Sequence, residues 1–176
     1  ALLALGPGGD PWAAPEPGFR LVTVSHLAMG EPAFGITPGQ GEIWLTLRAL
    51  LDIDLDDLLA RAEGLAAEAA AAGGLALTVT RHEHFAAGAN EARAAAHLAR
   101  AMAAAGIHVR PGAPMRPSED FGRFAEVAPI ALAFLGAGED HPHLHAETYD
   151  FPDALIAPGV RMWAALVDAL LGSVAD

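Results

Sequence analysis

The sequence predicts an α/β fold in two parts, with helices packed on sheets. Residues 20–29 and 42–49 alternate apolar and polar side chains, as half-buried strands do. Residues 54–72 instead place apolar residues at the spacing of one helix face. Beyond residue 90, helical stretches alternate with short apolar runs, which is typical of a layered α/β domain.

The first part is predicted to run strand, strand, helix, strand. Asp54 is placed to cap the helix, which ends at Ala72 before a Gly-Gly pair. Residues 75–82 alternate again and predict a third strand. Because the end of a helix precedes this series, its order fits a ferredoxin-like β-α-β-β-α-β unit without its first strand and most of its first helix.

One face of this predicted sheet is polar. Arg48 is the only cation on that face central enough to hold a carboxylate with its guanidinium fork. A face that is simply solvated would have the same composition, so the pattern alone leaves both interpretations open. The residues predicted for this face are Thr23, Ser25, Thr46, Arg48, Thr78 and Thr80.

The second part is predicted to alternate helix and strand. An alanine-rich helix capped by Asn90 ends at Gly106, and the wholly apolar run 129–135 is typical of a strand covered on both faces. A closing helix spans 159–171, with Pro158 in its first turn. Shorter elements are predicted as a strand at 107–109 and a helix that Ser118 caps.

The stretch from Gly138 to Asp153 concentrates potential metal ligands. His141, His143 and His145 lie within five residues and are flanked by five carboxylates. Imidazole and carboxylate are the usual protein ligands of Zn²⁺, and open α/β sheets bind ligands beyond the carboxyl ends of their strands. A polar surface loop would have the same composition, however, and one loop does not close a metal site.

Charge and composition disfavour several classes of partner. The formal net charge of −12, from 22 acidic and 10 basic residues, disfavours nucleic acid and an anionic membrane. No uninterrupted apolar run reaches 18 residues, so no membrane span is expected. The absence of cysteine excludes thiolate metal sites and fits a reducing compartment, so a cytoplasmic location is expected.

Several motifs together resemble those of one family. They are Pro117-Ser118-Glu119-Asp120-Phe121, the run into Leu135-Gly136, Leu144-His145, Tyr149-Asp150-Phe151 and Asp153. With these motifs the chain is similar to the di-metal amidohydrolase and exopeptidase family of hippurate hydrolases, N-acyl-amino-acid deacetylases and carboxypeptidase G. The similarity covers almost the whole chain, in the family's order.

The resemblance implies a division into two domains. Residues 1–85 would form a ferredoxin-like lid that lacks its first strand. In the family, this lid also makes the homodimer contact. Residues 86–176 would form the C-terminal part of a zinc-exopeptidase-type α/β catalytic domain. The family's full active site holds two divalent metal ions, with zinc expected first and manganese, cobalt or nickel as alternatives. Its substrates are N-acyl amino acids or small peptides with a free carboxylate.

The resemblance also assigns roles to individual residues. His145 matches the last metal ligand, and Arg48 matches the lid arginine that receives the substrate's α-carboxylate. Gly35 occupies the position, thirteen residues before that arginine, where the family usually has a substrate-contacting Asn. Glu119 and Asp120 would lie on the rim of the site.

Two motifs of the family are absent. Its first ligand motif is His-x-Asp, and its general base comes from a Glu-Glu pair; neither pattern occurs in the 176 residues. We therefore expect this chain to be the C-terminal portion of a longer enzyme, with no catalytic residue of its own and no activity alone. The opening residues, which read like the last turn of a helix, favour the same interpretation.

Two other classes of function stay open at this point. The lid-like half could serve as a non-catalytic module for dimerisation or small-acid binding. Alternatively, the chain could be a metal-binding protein that uses its histidine-rich loop and has no hydrolytic history.

Overall fold

A computed structural model describes residues 1–6, 8–10 and 13–172. The chain divides into two compact units. The first unit comprises Ala1–Ala87 and Ala113–Glu119, and the second comprises Gly88–Gly112 and Asp120–Asp176. The predicted domain boundary at residue 85 stays a prediction.

The first unit is built on an antiparallel hairpin. Strand β1 (Arg20–Met29) pairs with strand β2 (Gly41–Ala49), and both were predicted from their alternation. The outer edge of β1 is partly covered by the chain's start, since Val22 N donates to Gly6 O at 3.0 Å. A side chain at Gly6 would bring a Cβ within 2.8 Å of that same nitrogen, which explains glycine here.

A β-bulge corrects the predicted composition of the polar face. The register shifts between Val24 and His26, so His26 lies opposite Trp44. Ser25 is the extra residue of the bulge, and its hydroxyl donates to Trp44 O at 3.3 Å. The alternation of residues 20–29 therefore breaks at this point, and His26 replaces Ser25 on the face that carries Arg48.

Helix α1 (Asp52–Ala72) packs on the hairpin through its apolar stripe. Leu58 is completely buried, and Val22 of β1 is buried as well. The helix begins at Asp52, two residues before the predicted cap, Asp54, and the Asp54 carboxylate pairs with an arginine instead of capping the helix. Asp54 Oδ1 accepts from Arg20 Nη2 at 3.1 Å, which ties the first turn of α1 to the start of β1.

The third predicted strand, at 75–82, does not form in the part of the chain that the structure describes. The sheet there has two strands. After α1 the chain turns back along the helix: Leu75 N donates to Ala70 O at 2.9 Å, and Arg81 Nε donates to Glu63 Oε1 at 2.7 Å. Alternation records a local preference, whereas a strand also needs a neighbour that supplies its backbone hydrogen bonds.

The second unit is held by two helices, α2 (Ala92–Ala104) and α3 (Ile156–Leu171). Both were predicted to within a few residues. The two helices pack through a small core. Ile107, Ala131 and Leu166 are partly buried and pack against it. The buried members of this core are Leu98, Ala101, Met102 and Met162.

The start of α2 differs from its prediction. Glu91 caps the helix, accepting from the backbone N–H groups of Arg93 and Ala94 at 2.9 and 2.8 Å. Asn90 instead bonds to the backbone of Leu132 twice: its Nδ2 donates to the carbonyl at 2.9 Å, and its Oδ1 accepts from the N–H at 2.7 Å. The apolar run 129–135 thus pairs with a side chain and forms no strand.

Two short predictions also need correction. Residues 107–109 form no strand, and the helix expected after Ser118 is a 3₁₀ helix at Asp120–Glu126. A second 3₁₀ turn, Asp153–Leu155, leads into α3. The described chain is therefore a mixture of helix and strand, as an α/β class requires, whereas the ferredoxin-like arrangement of the lid remains a prediction.

Helix α3 has apolar side chains on a second, exposed face. Trp163, Val167 and Leu170 are each at least half exposed. Asp153–Leu171 is long and apolar enough to cross a membrane, a property that the sequence analysis did not anticipate. This is weak support for a span, because the core helices of globular proteins satisfy the same criterion.

Candidate functional site

Arg48 lies near the end of β2 and is held by neutral partners. Its Nη1 donates to the carbonyl of Arg116 and to the hydroxyl of Ser118, both at 3.2 Å. The residue is half-buried, and no carboxylate of the described chain lies within ion-pairing distance of it. Its remaining N–H donors are therefore available for an anion.

The segment 113–119 is fixed beside Arg48 by Arg116. The guanidinium of Arg116 stacks over the Phe19 ring, 4.8 Å from its centroid, and also donates to Asp10 O. These contacts place the Ser118-Glu119 motif in the first unit, next to Arg48. Two motifs that lie 70 residues apart in sequence are thereby brought together.

Arg20, in the same unit, is an arginine that forms ion pairs with carboxylates of the fold itself. Its guanidinium lies 3.1 Å from Asp54 and 2.9 Å from Asp57, so its charge is matched by two carboxylates. Arg48 has no such match among the described residues, in a chain whose net charge is −12. A half-buried cation with neutral partners can form charge-assisted hydrogen bonds to a ligand carboxylate.

The structure does not place Gly35 with Arg48. Gly35 lies in the 30–40 loop that joins β1 to β2, and its φ of +75° is a conformation that favours glycine. That loop enters β2 at Gly41, whereas Arg48 is close to the opposite end of the strand. An added Cβ at Gly35 would meet nothing within 4 Å.

The predicted rim residues are divided between the units. Glu119 is exposed and belongs to the first unit, directly after Ser118. Asp120 belongs to the second unit, where it begins the 3₁₀ helix. Neither makes a hydrogen bond that defines a role, so their place on a site rim stays a prediction.

In the second unit, the histidine-rich stretch and α3 line a shallow, open cleft of about 610 Å³. His141 and His143 line it together with mostly apolar side chains. The ring of His141 packs edge-on against Tyr149, with centroids 5.3 Å apart, and its Nδ1 lies 2.9 Å from Pro142 O. The apolar lining includes Leu135, Phe151, Ile156, Val160 and Trp163.

His145 lies outside this cleft. It is exposed, and its φ of +68° is uncommon for a residue with a side chain. The turn that holds it is closed by Ala146 N, which donates to His143 O at 3.0 Å. Glu83 has a positive φ as well, so this conformation does not by itself mark His145 as functional.

The described residues do not by themselves fit a pair of metal ions. Within 1–6, 8–10 and 13–172, no group of three or more His, Cys, Asp or Glu side chains converges. A closed zinc site needs three or four protein ligands. Among the described residues His145 therefore belongs to no group of three potential ligands and can supply only part of a site.

Sequence reasoning missed a cluster on the Arg48 face of the hairpin. His26 packs on Trp44, with ring centroids 4.8 Å apart at 49°, and its Nε2 lies 3.2 Å from Glu42 Oε1. The bulge creates this arrangement by moving His26 opposite Trp44. In the sequence, only the break in the apolar–polar alternation at residues 24–26 indicates this cluster.

Comparison with known proteins supplies a family for this chain. No curated protein and no solved structure matched it. The family described as Peptidase family M20/M25/M40 matches residues 5–169, which include both strands, α1, α2 and most of α3. The match covers nearly the whole chain, and it agrees with the resemblance carried by the Ser118-Glu119 and His145 motifs. The chain belongs to the M20/M25/M40 peptidase family.

Proposed function

We propose that this chain is the C-terminal portion of a metal-dependent amidohydrolase that cleaves the amide bond of N-acyl amino acids or small peptides with a free carboxylate. Membership of a peptidase family supports hydrolysis of an amide bond in general. The observation that carries the finer proposal is Arg48, a half-buried guanidinium whose hydrogen-bond partners are neutral.

In this proposal Arg48 binds the substrate's carboxylate. Ser118 Oγ and Arg116 O each accept from Nη1 and restrict the guanidinium's orientation before a ligand arrives. Less conformational entropy is then lost on binding, and the carboxylate fixes the position of the amide along the substrate. A planar fork suits a carboxylate better than an ammonium group would.

His145 is proposed as a single metal ligand. The family is generally metal-dependent, and the bound ions supply Lewis-acid chemistry. Because no ligand group converges among the described residues, the other ligands and the general base would come from polypeptide outside them. Zinc is the first expectation, and the same ligand chemistry admits manganese, cobalt or nickel. We accordingly propose that the chain alone is inactive.

The partners follow from the same proposal. From the family resemblance we propose a homodimer through the lid domain, a small-molecule substrate and a cytoplasmic location. We propose neither nucleic acid nor a membrane as a partner. The net charge of −12 supports the exclusion of nucleic acid.

Calorimetric titration with N-acetylglycine tests the anchor. Arg48→Gln should weaken binding at least tenfold, since a hydrogen bond to a charged group is lost. Arg61→Gln removes an exposed arginine of α1 and is the matched control, expected to change affinity less than twofold. Equal affinities for Arg48→Gln and the parent chain would contradict the anchor.

The rival function is a non-catalytic module for dimerisation or small-acid binding. Arg48, with its neutral partners, can hold a small acid in such a module without any metal ion. Mixing the chain with a family polypeptide that carries His-x-Asp and Glu-Glu, plus zinc, separates the two. Hydrolysis of N-acetylglycine that requires both polypeptides and is lost in His145→Ala supports the enzyme. Retained ligand binding without hydrolysis supports the module.

A further inference from the structure

Segment 113–119 packs in the first unit, although the residues before and after it in the sequence, Gly112 and Asp120, belong to the second. Within the described structure it lies in no helix or strand and makes no backbone–backbone hydrogen bond. Side-chain contacts therefore decide its place beside Arg48. Two of them run from Arg48 to Arg116 O and Ser118 Oγ, and the others come from the Arg116 side chain.

The Phe19 ring gives the Arg116 side chain a fixed platform. Phe19 directly precedes β1, and its N–H donates to Glu16 O at 2.9 Å in the turn that leads into the strand. The residue is half-buried, and the centroid of its ring lies 4.8 Å from Arg116 Cζ. A guanidinium stacked on an aromatic face gains cation–π attraction. The stack therefore holds segment 113–119 at the start of β1.

The hairpin register places this platform at the end of the sheet that carries Arg48. Arg20, which follows Phe19, lies opposite Ala49. Leu21 lies opposite Arg48 in the same ladder. Paired residues of an antiparallel ladder have their Cα atoms only about 5 Å apart. A segment held by a stack at the start of β1 can therefore present its polar atoms to the Arg48 guanidinium.

The neutral acceptors of Arg48 restrict its guanidinium only while segment 113–119 is in place. Without that segment, Nη1 would lose its hydrogen bonds to Arg116 O and Ser118 Oγ, and the side chain would be free to change rotamer. A ligand carboxylate would then have to immobilise the arginine, and the entropy lost would lower its affinity. The Arg116–Phe19 stack can therefore change carboxylate binding without touching the ligand.

We propose that Phe19 and the Arg116 side chain are positioning groups that set the carboxylate affinity of Arg48 by clamping segment 113–119 against it. This inference rests on the proposed carboxylate anchor and adds the contacts that orient it. Phe19 does not touch the ligand in this proposal, and its effect reaches the ligand through Ser118 Oγ and Arg116 O.

Calorimetric titration of the 176-residue chain with N-acetylglycine tests the clamp. Phe19→Leu keeps an apolar side chain and changes no charge, and it should weaken binding about threefold to fivefold. Phe19→Tyr retains the aromatic face and should stay within about twofold of the parent chain. Phe85→Leu is the matched control, expected to change affinity less than about twofold. Phe85 is also half-buried in the first unit, but no guanidinium of the described chain stacks on it.

A double-mutant cycle with Arg48→Gln separates positioning from a general loss of structure. If the clamp acts through Arg48, Phe19→Leu should change affinity less than about twofold once Arg48 is already replaced. An equal loss in both backgrounds would assign Phe19 to support of the fold alone and overturn the inference.

Amide hydrogen exchange in the ligand-free chain tests the clamp independently of the anchor. The amides of segment 113–119 should exchange faster in Phe19→Leu and in Arg116→Gln than in the parent chain or in Phe85→Leu. Unchanged exchange would overturn the clamp, whatever Arg48 binds.

The titrations also distinguish the failure of this inference from failure of the anchor. If Arg48→Gln weakens binding while Phe19→Leu does not, the anchor stands and the clamp is overturned. If Arg48→Gln leaves the affinity unchanged, or the parent chain does not bind N-acetylglycine, both are overturned.

Discussion

At the scale of single residues, Glu91 makes the stability of α2 depend on pH. Hydrogen bonds from the backbone N–H groups of Arg93 and Ala94 hold the pKa of Glu91 below its ordinary value of 4.5. Because the folded state favours the charged carboxylate, its contribution is present above pH 4.5 and is lost as the pH falls through the lowered pKa.

Replacement of this cap should therefore have a pH-dependent effect. Glu91→Ala is expected to lower the midpoint of thermal unfolding at pH 7 and to approach the parent chain in acid, where the parent's own carboxylate is protonated. Thermal melts followed by circular dichroism at both pH values measure this. Glu68→Ala, an exposed acid of α1, is the control. A deficit of Glu91→Ala that is equal at both pH values would contradict the assignment.

Asn90 stabilises the second unit by replacing a strand partner. Its amide satisfies both backbone groups of Leu132. Asn90→Ala should lower the free energy of unfolding by about 1–2 kcal/mol, because two hydrogen bonds are lost. Urea denaturation measures this change. If Asn90→Ala lowers the free energy of unfolding no more than Glu68→Ala does, the two hydrogen bonds make no net contribution to stability.

These residues also mark how far local sequence patterns reach. Arg48 could be placed on a polar strand face because strand alternation is a local rule, and the structure puts it on β2. The N-cap preferences favour Asn90 over its neighbour Glu91, so the local rule selected the wrong one of two adjacent residues. The partner of Asn90 lies 42 residues away, and no local rule points to it.

At the scale of elements, α1 is anchored by one fully buried leucine. Leu58→Ala should destabilise the first unit by about 2–4 kcal/mol, since it removes buried surface and leaves a cavity. Ile53→Ala, on the exposed side of the same helix, should cost less than about 0.5 kcal/mol. Chemical denaturation of both variants measures the difference. Equal losses would mean that α1 does not pack on the hairpin through Leu58.

Helices were predicted better than strands, and the reason is physical. A helix satisfies its backbone groups within one segment, so its apolar spacing and its stops are enough to place α1, α2 and α3. A strand must find its partner elsewhere. The hairpin supplies partners to β1 and β2, whereas the runs at 75–82, 107–109 and 129–135 find no strand among the described residues.

At the scale of the whole molecule, the unpaired runs and exposed apolar side chains favour association. Leu75, Leu77 and Val79 are 46–68% exposed on a run with strand-like alternation. Such a run can pair with another chain. We expect the chain to associate with increasing concentration, and Leu77→Lys to weaken this association. Val127→Lys, at an exposed site outside these runs, should have no effect.

Sedimentation velocity over a range of concentrations measures this association. A monomer at every concentration would contradict the expectation. Equal weakening by Leu77→Lys and Val127→Lys would contradict a specific role of the 75–79 run; net charge would not explain it, because each added cation lowers the repulsion between copies of a chain of net charge −12. Weakening by Leu77→Lys alone would assign it to the 75–79 run.

Metal affinity tests whether the described residues are part of a larger site. A zinc ion needs converging ligands, and the described part of the chain holds no group of three. The histidine-rich loop should therefore bind zinc with a Kd above about 10 µM, because one or two flexible ligands lose entropy for little bond energy. His145→Ala should weaken this binding further, and His108→Ala, at an exposed site of the same unit, should not. Binding at 1 µM or tighter would mean that residues 138–153 close a site by themselves, and His145 would then not be one ligand of a site completed elsewhere.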